Sequence, residues 1–147
     1  MLFLYALVVF LAGALIALQA GINAQLARWT GHPIFAATIS FLVGSAALVG
    51  CAVAVRQPWP SVPQVADAPR WIWIGGLLGA VFVYVTAALA PALGATTLLS
   101  IAIAGQMTCA LVVDHLALVG FAHRPVTPGR ALGVGLLVSG VVLIRQC

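Results

Sequence analysis

Apolar residues dominate five stretches of the chain, and most of the charged residues lie between them. Four stretches are long enough to cross a bilayer core, which is about 30 Å thick and needs roughly 20 helical residues. The fifth is shorter and is bounded by Arg130 and Arg145, whose long side chains can reach back to the headgroups. The predicted helices cover residues 2–20, 34–55, 71–90, 95–120 and 129–145.

These stretches predict helices rather than strands. Membrane-barrel strands alternate apolar and polar residues over about ten positions, whereas these stretches are continuously apolar. Proline and polar residues separate them, as in the segments 30–33, 56–70 and 124–128. The pattern therefore predicts an all-α integral membrane protein with five transmembrane helices in a single membrane domain, residues 1–147.

Composition supports the same class. Hydrophobic residues make up 64% of the chain and charged residues 5%, which is too little polar surface to cover a soluble globule. The net charge of +4 results from six basic residues, all arginine, and two acidic residues. Because these arginines lie at the ends of predicted helices, we interpret them as headgroup contacts. The bilayer is the predicted partner, and no nucleic-acid partner is implied.

The sequence contains no recognisable catalytic or metal-binding arrangement. Its three histidines are scattered, and it has neither paired acids nor a phosphate-binding loop. His32 and His123 fall in predicted loops and are expected to be solvated. Cys51, Cys109 and Cys147 lack the spacing of metal ligands and are interpreted as small apolar residues. We predict no enzymatic activity, no metal and no cofactor.

Polar side chains within the apolar stretches are the candidate binding residues, because each needs a hydrogen-bond partner or a water-filled cavity. Gln106 lies midway along the fourth helix and is expected to face the interior. Gln19 and Asn23 are one helical turn apart, and Tyr84 lies midway along the third helix. These four residues either line a substrate pocket or join helices through hydrogen bonds worth about 0.6 kcal/mol each.

Asp114 is the one carboxylate within an apolar stretch and is followed by His115. An ionised acid at the centre of a membrane helix costs about 2.5–3.5 kcal/mol. Asp114 is near enough to the helix end to form a structural ion pair with Arg124 or Arg130. The alternative is a protonatable coupling group, since desolvation favours the acid form.

Small residues four positions apart mark three helices, because they let helix backbones approach closely in lipid. Such contacts can form within one chain or between two chains. The pairs are Gly75 with Gly79, Ser40 with Gly44, and Gly129 with Gly133.

Several short motifs carry a family resemblance. They are Gln19–Leu26 (QAGINAQL), Ile39–Gly44 (ISFLVG), Gly105–Met107 (GQM), Asp114 with His115, and Arg130 with Gly133. With them the chain resembles the YdcZ-like family of the drug/metabolite transporter superfamily over essentially its whole length. The resemblance implies a multi-pass protein of the cell inner membrane that forms half of an inverted-repeat transporter. Its partner would be a second copy or a close homologue in the inverted orientation.

The small multidrug resistance family has a related design and relies on a carboxylate in its first helix. The first helix here has none, and the amides of Gln19 and Asn23 occupy that region. Proton-coupled drug export is therefore not carried over to this chain.

The distribution of arginines bears on orientation. With five crossings, Arg28 and Arg145 fall on one side of the membrane. The other four arginines, Arg56, Arg70, Arg124 and Arg130, fall on the opposite side with the N-terminus. The positive-inside rule then favours a cytoplasmic N-terminus, but the bias is small enough to suit insertion in both orientations or a partner with the opposite bias. We predict an antiparallel dimer.

The sequence thus predicts a transporter that moves a small organic solute by alternating access through an antiparallel dimer. Binding by amides suits a neutral or zwitterionic polar solute. The alternative is a non-transporting membrane scaffold or partner subunit, in which the same amides only fix helix packing.

Overall fold

The computed structural model describes residues 2–146, except for the side chains of Leu2, Ala6 and Gln64. Met1 and Cys147, the ends of the predicted domain, lie outside the described residues. Between residues 2 and 146 the backbone forms α-helices and two 3₁₀ turns, with no strand. The α-helices are α1 (Leu2–Thr30), α2 (Pro33–Ala54), α3 (Val62–Ala66), α4 (Ile74–Leu93), α5 (Ala95–His115) and α6 (Pro128–Gln146).

Five of these helices are long and apolar enough to cross a membrane, which confirms the prediction of an all-α membrane protein. They are α1, α2, α4, α5 and α6. The 3₁₀ turn Arg70–Trp73 leads directly into α4. The five-residue helix α3, in the loop after α2, was not predicted.

The predicted first helix, 2–20, was too short. In the structure α1 continues to Thr30, because the residues after Ala20 include no proline and only Gly21 weakens the helix. Gly31 ends it with a φ of +81°, the left-handed conformation that favours glycine after a helix. At about 1.5 Å per residue, α1 is long enough to extend beyond the bilayer core.

The predicted fourth helix, 95–120, was too long. It ends at His115 as α5, because left-handed backbone at Ala117, Val119 and Gly120 interrupts the helix. The chain then turns back, and the 21 residues of α5 already match the thickness of a bilayer core.

The connection between α4 and α5 is also tighter than predicted. The sequence indicated a turn over residues 91–94, but Pro91 lies within the last turn of α4 and only Gly94 separates the two helices. Gly94 has φ +73° and ψ 161°, a combination that is essentially restricted to glycine.

The chain forms two compact units, Met1–Pro91 and Ala92–Cys147. In the first, α1 packs against α2, and in the second, α5 packs against α6. A single domain over 1–147 stays a prediction. Buried residues of the first unit come from the second half of α1, the start of α2 and the second half of α4. They are Ala20, Asn23, Ala24, Ala36, Ala37, Val83, Thr86 and Ala87.

The predicted small-residue contacts form within the chain at one glycine. A Cβ added at Gly79 would lie 3.4 Å from Cζ of Phe41, so α4 and the Phe41 ring are in close contact. A Cβ added at Gly44, Gly75, Gly129 or Gly133 would meet no described atom within 4 Å. Each of these four glycines therefore leaves open helix surface within its own unit.

Candidate functional site

A cleft of about 390 Å³ lies between α2 and α4 in the first unit. The α2 residues that line it recur every three or four positions and therefore share one helix face. The α4 residues, Ala80 and Tyr84, are one turn apart. The lining comprises Ile34, Ala37, Thr38, Phe41, Leu42, Ser45, Ala80 and Tyr84. We call this space the α2–α4 cleft.

His32 joins α2 to α4 at the start of α2. Its Nδ1 accepts a hydrogen bond from the Ile34 backbone N–H at 3.2 Å, so the side chain caps the helix. The imidazole also stacks on the Tyr84 ring, with the centroids 6.4 Å apart and the planes inclined by 17°. Phe35 approaches the imidazole edge-on at 6.2 Å. The side chain is exposed, as predicted for a loop histidine, but it has these structural contacts as well.

The α2–α4 cleft is mainly apolar and contains three hydroxyl groups. Thr38 Oγ1 donates to the Ile34 carbonyl oxygen at 2.9 Å within α2. Within the described residues, the hydroxyls of Ser45 and Tyr84 have no hydrogen-bond partner. These two groups can therefore donate to a bound molecule.

Gln19 lines a neighbouring cleft of about 210 Å³. The lining residues come from α1, α2 and α4, and they are Gln19, Ser40, Phe41, Gly44, Ser45, Leu48 and Val83. Phe41 and Ser45 line both clefts, and the Phe41 ring also packs on Gly79.

Asn23 is buried, with 3% of its surface exposed. The face of α1 that packs inward is centred on Ala20, Asn23 and Ala24, whereas Gln19 lies at the edge of that face. The burial of Asn23 agrees with helix packing, one of the two roles that the sequence allowed for this residue. Asn23 is not among the residues that line the cleft of Gln19.

Gln106 is exposed on the surface of the second unit, and its predicted orientation toward the interior stays a prediction. The side of α5 that lies toward α6 carries Ser100, Ile103, Ala104 and Met107. Gln106 is about 100° around the helix from Met107, so its amide points away from the centre of that contact. Gln106 belongs to the second unit, and a pocket that it shares with Gln19 and Tyr84 stays a prediction.

The Asp114 carboxylate pairs with the Arg130 guanidinium at the end of α5. Arg130 Nη1 also donates to the backbone oxygens of Arg124 and Pro125, at 3.0 and 3.2 Å. The Arg124 backbone N–H donates to the Asp114 backbone oxygen at 2.8 Å. The Arg130 guanidinium thus connects the segment 116–127 to the end of α5, and Arg130 itself lies in the first turn of α6. Whether the pair has a structural or a coupling role stays a prediction.

His115 does not take part in this ion pair. Its ring lies 5.8 Å from that of His123, with an interplanar angle of 42°. Among the described residues, no group of three or more His, Cys, Asp or Glu side chains could hold a metal ion.

Sequence reasoning did not single out Thr38, Phe41 and Ser45 as site residues. The signal was available, because their spacing of three and four places all of them on one face of α2. The contact between His32 and Tyr84 had no comparable signal, since the two residues are 52 positions apart in the sequence.

A comparison with known families places the chain beside a family of membrane exporters. The model of a family described as "Putative inner membrane exporter, YdcZ" matches residues 4–143. No curated protein and no solved structure matches the chain significantly.

Proposed function

The chain belongs to the YdcZ family of the drug/metabolite transporter type, and on this premise we propose that it exports a small organic solute by alternating access through an antiparallel dimer. It is a multi-pass inner membrane protein. Membership of a transporter family indicates a non-enzyme.

The observation that carries the proposal is the exposed amide of Gln106. This residue lies about 16 Å along α5 from Ala95 at 1.5 Å per residue, near the middle of the predicted crossing. Hydrocarbon offers no partner to an amide, so an exposed amide at this depth requires a protein partner or a water-filled space. A water-filled path between two protomers would supply hydrogen-bond partners for the Gln106 amide.

The low burial of α6 supports a second copy of the chain. Within the second unit, no residue in the apolar window of this helix is buried, and Gly129 and Gly133 have open space where a side chain would be. Small residues on open membrane helices permit close packing against another helix. A second copy in the inverted orientation would cover this surface.

The arginines support dual insertion. Alternating crossings of α1, α2, α4, α5 and α6 place two arginines on one side and four on the other. A stronger bias would fix a single orientation under the positive-inside rule. A chain that inserts in both orientations requires a small difference in arginine number between the two sides, as found here.

Gln19 and Tyr84 are the binding residues that we retain on the first unit, because each lines a cleft. We propose that Gln106, on α5, also binds the solute. Asn23 is assigned to helix packing because it is buried.

The test is solute flux in liposomes containing the purified protein. Replacing Gln106 by Ala should abolish flux and leave the dimer intact by cross-linking, because the amide acts on the solute rather than on packing. Gln57→Ala, in the loop after α2, is the matched control and should retain flux. Undiminished flux in Gln106→Ala would overturn the assignment of Gln106.

The scaffold alternative makes the opposite prediction. If the amides only fix packing, Gln106→Ala would reduce dimer formation, and the wild-type protein would move no solute. The burial of Asn23 favours a packing role for that one amide. It does not extend to Gln106, which is exposed.

A further inference from the structure

We propose that the α2–α4 cleft binds uncharged, ring-bearing organic solutes that carry hydrogen-bond acceptor groups. This inference rests on the proposed transport function and names its substrate class. It follows from the charge, the rings, the hydroxyls and the volume of the cleft.

The charge of the cleft excludes strongly ionic solutes. None of its eight lining residues is ionisable at neutral pH. The two acids of the chain, Asp67 and Asp114, belong to neither α2 nor α4. A charged solute would lose water here without gaining a counter-charge, which is costly in an apolar site.

Aromatic rings favour a ring-bearing solute. Phe41 and Tyr84 line the cleft from α2 and α4. Tyr84 keeps 38% of its surface exposed although His32 stacks on its ring. Aromatic pairs in offset or edge-to-face contact gain about 0.5–1.5 kcal/mol beyond area burial. A planar ring can make such contacts where an aliphatic chain cannot.

The hydroxyl groups favour acceptors on the solute. Thr38 already uses its proton within α2, whereas Ser45 and Tyr84 have no partner among the described residues. Two available O–H donors in an apolar cleft are best satisfied by a carbonyl, amide or ether oxygen.

The volume sets the scale of the solute. About 390 Å³ falls at the lower end of the range of small-molecule sites, roughly 300–1,000 Å³. Phe41 and Ser45 line both this space and the smaller cleft of about 210 Å³ that Gln19 lines. A solute with one substituted ring therefore suits the cleft.

The experiment measures protection of a cysteine in the cleft and does not depend on transport. Leu42→Cys is the reporter, in a chain whose three native cysteines are replaced by Ser. Leu132→Cys on α6 is the control, because Leu42 and Leu132 are 65% and 64% exposed. Labelling by N-ethylmaleimide in nanodiscs is timed with benzamide and with three analogues of similar shape. The analogues are benzoate, benzamidinium and cyclohexanecarboxamide.

We expect benzamide to slow labelling of Leu42→Cys but not of Leu132→Cys. Benzoate and benzamidinium should give little protection, and cyclohexanecarboxamide less than benzamide. Tyr84→Phe should raise the half-protecting concentration of benzamide by about two- to tenfold, the value of one hydrogen bond.

Three outcomes would overturn the inference. They are a Leu42→Cys that does not react because the cleft is dry, equal protection of both reporters, and protection by the ionic analogues as strong as that by benzamide. Any of these with intact flux would leave the transport proposal standing. Protection by benzamide without flux of any solute would instead leave the binding site standing and overturn transport.

Discussion

The imidazole of His32 lies over the phenol ring of Tyr84, with 6.4 Å between the ring centroids. Because Nδ1 of the same imidazole caps α2, one side chain both fixes the start of that helix and contacts α4. Tyr84 in turn lines the α2–α4 cleft. His32 therefore links the capped start of α2 to a residue that lines the cleft.

Removing this cap should loosen the start of α2. His32→Ala leaves the Ile34 N–H without its acceptor and should cost about 1 kcal/mol, the usual value of a lost helix cap. Hydrogen exchange measured by mass spectrometry should become faster in the first turn of α2. His32→Asn keeps a capping acceptor and should restore most of the protection. Unchanged exchange in His32→Ala would contradict the capping role.

Gly94 should tolerate no other residue without a loss of stability. Its backbone conformation, φ +73° and ψ 161°, should make Gly94→Ala cost about 1–3 kcal/mol. Within the part of the chain that the structure describes, no atom lies within 4 Å of the added Cβ, so the cost comes from the backbone alone. Gly76→Ala in α4 has equal space and helical backbone, and it should be neutral or stabilising. Thermal unfolding in detergent measures the difference, and equal effects would refute the argument.

Gln19 and Asn23 are one turn apart on α1 but should behave differently. Asn23→Ala truncates a buried side chain and should lower stability by about 0.5–3 kcal/mol, the usual range for substitutions that disturb packing. Gln19→Ala removes an exposed amide that lines a cleft, so it should reduce flux and leave stability unchanged. Unfolding and liposome flux on both variants test this contrast. If Asn23→Ala reduced flux and Gln19→Ala reduced stability, Asn23 would be the binding residue and Gln19 the packing residue.

The pair of Asp114 with Arg130 should be structural. The guanidinium also bonds two backbone oxygens, so Arg130→Lys should loosen the segment 116–127 even though it keeps a positive charge. Proteolysis and hydrogen exchange of that segment should both increase. Asp114→Asn should show the same flux as the wild-type protein, both with and without a pH gradient. A pH-gradient effect that is present in the wild type and lost in Asp114→Asn would instead identify Asp114 as a coupling carboxylate.

The five crossings could be predicted because apolar length alone decides whether a helix spans a bilayer. The helix ends could not be predicted equally well. α1 runs ten residues beyond Ala20 because nothing stops a helix before Gly31, and α5 stops at His115 because the backbone turns left-handed afterwards. These ends depend on local conformation, which hydropathy does not report.

The candidate site was only partly predictable. Gln19 and Tyr84 stood out as polar residues in apolar stretches, and both line clefts. Asn23 stood out for the same reason but is buried, because the inward face of α1 depends on how α2 packs against it. The placement of His32 on Tyr84 likewise depends on tertiary packing between α2 and α4.

The central claim is that two oppositely oriented chains enclose the solute path, and the orientation of the C-terminus tests it most directly. The C-terminus is fused in turn to a reporter that fluoresces only in the cytoplasm and to a phosphatase that is active only outside it. The same fusions are made to any homologue produced by the cell. We predict that both reporters are active, either on this chain or on the pair of homologues. Activity of a single reporter on every chain, with no oppositely oriented homologue, would contradict the antiparallel dimer.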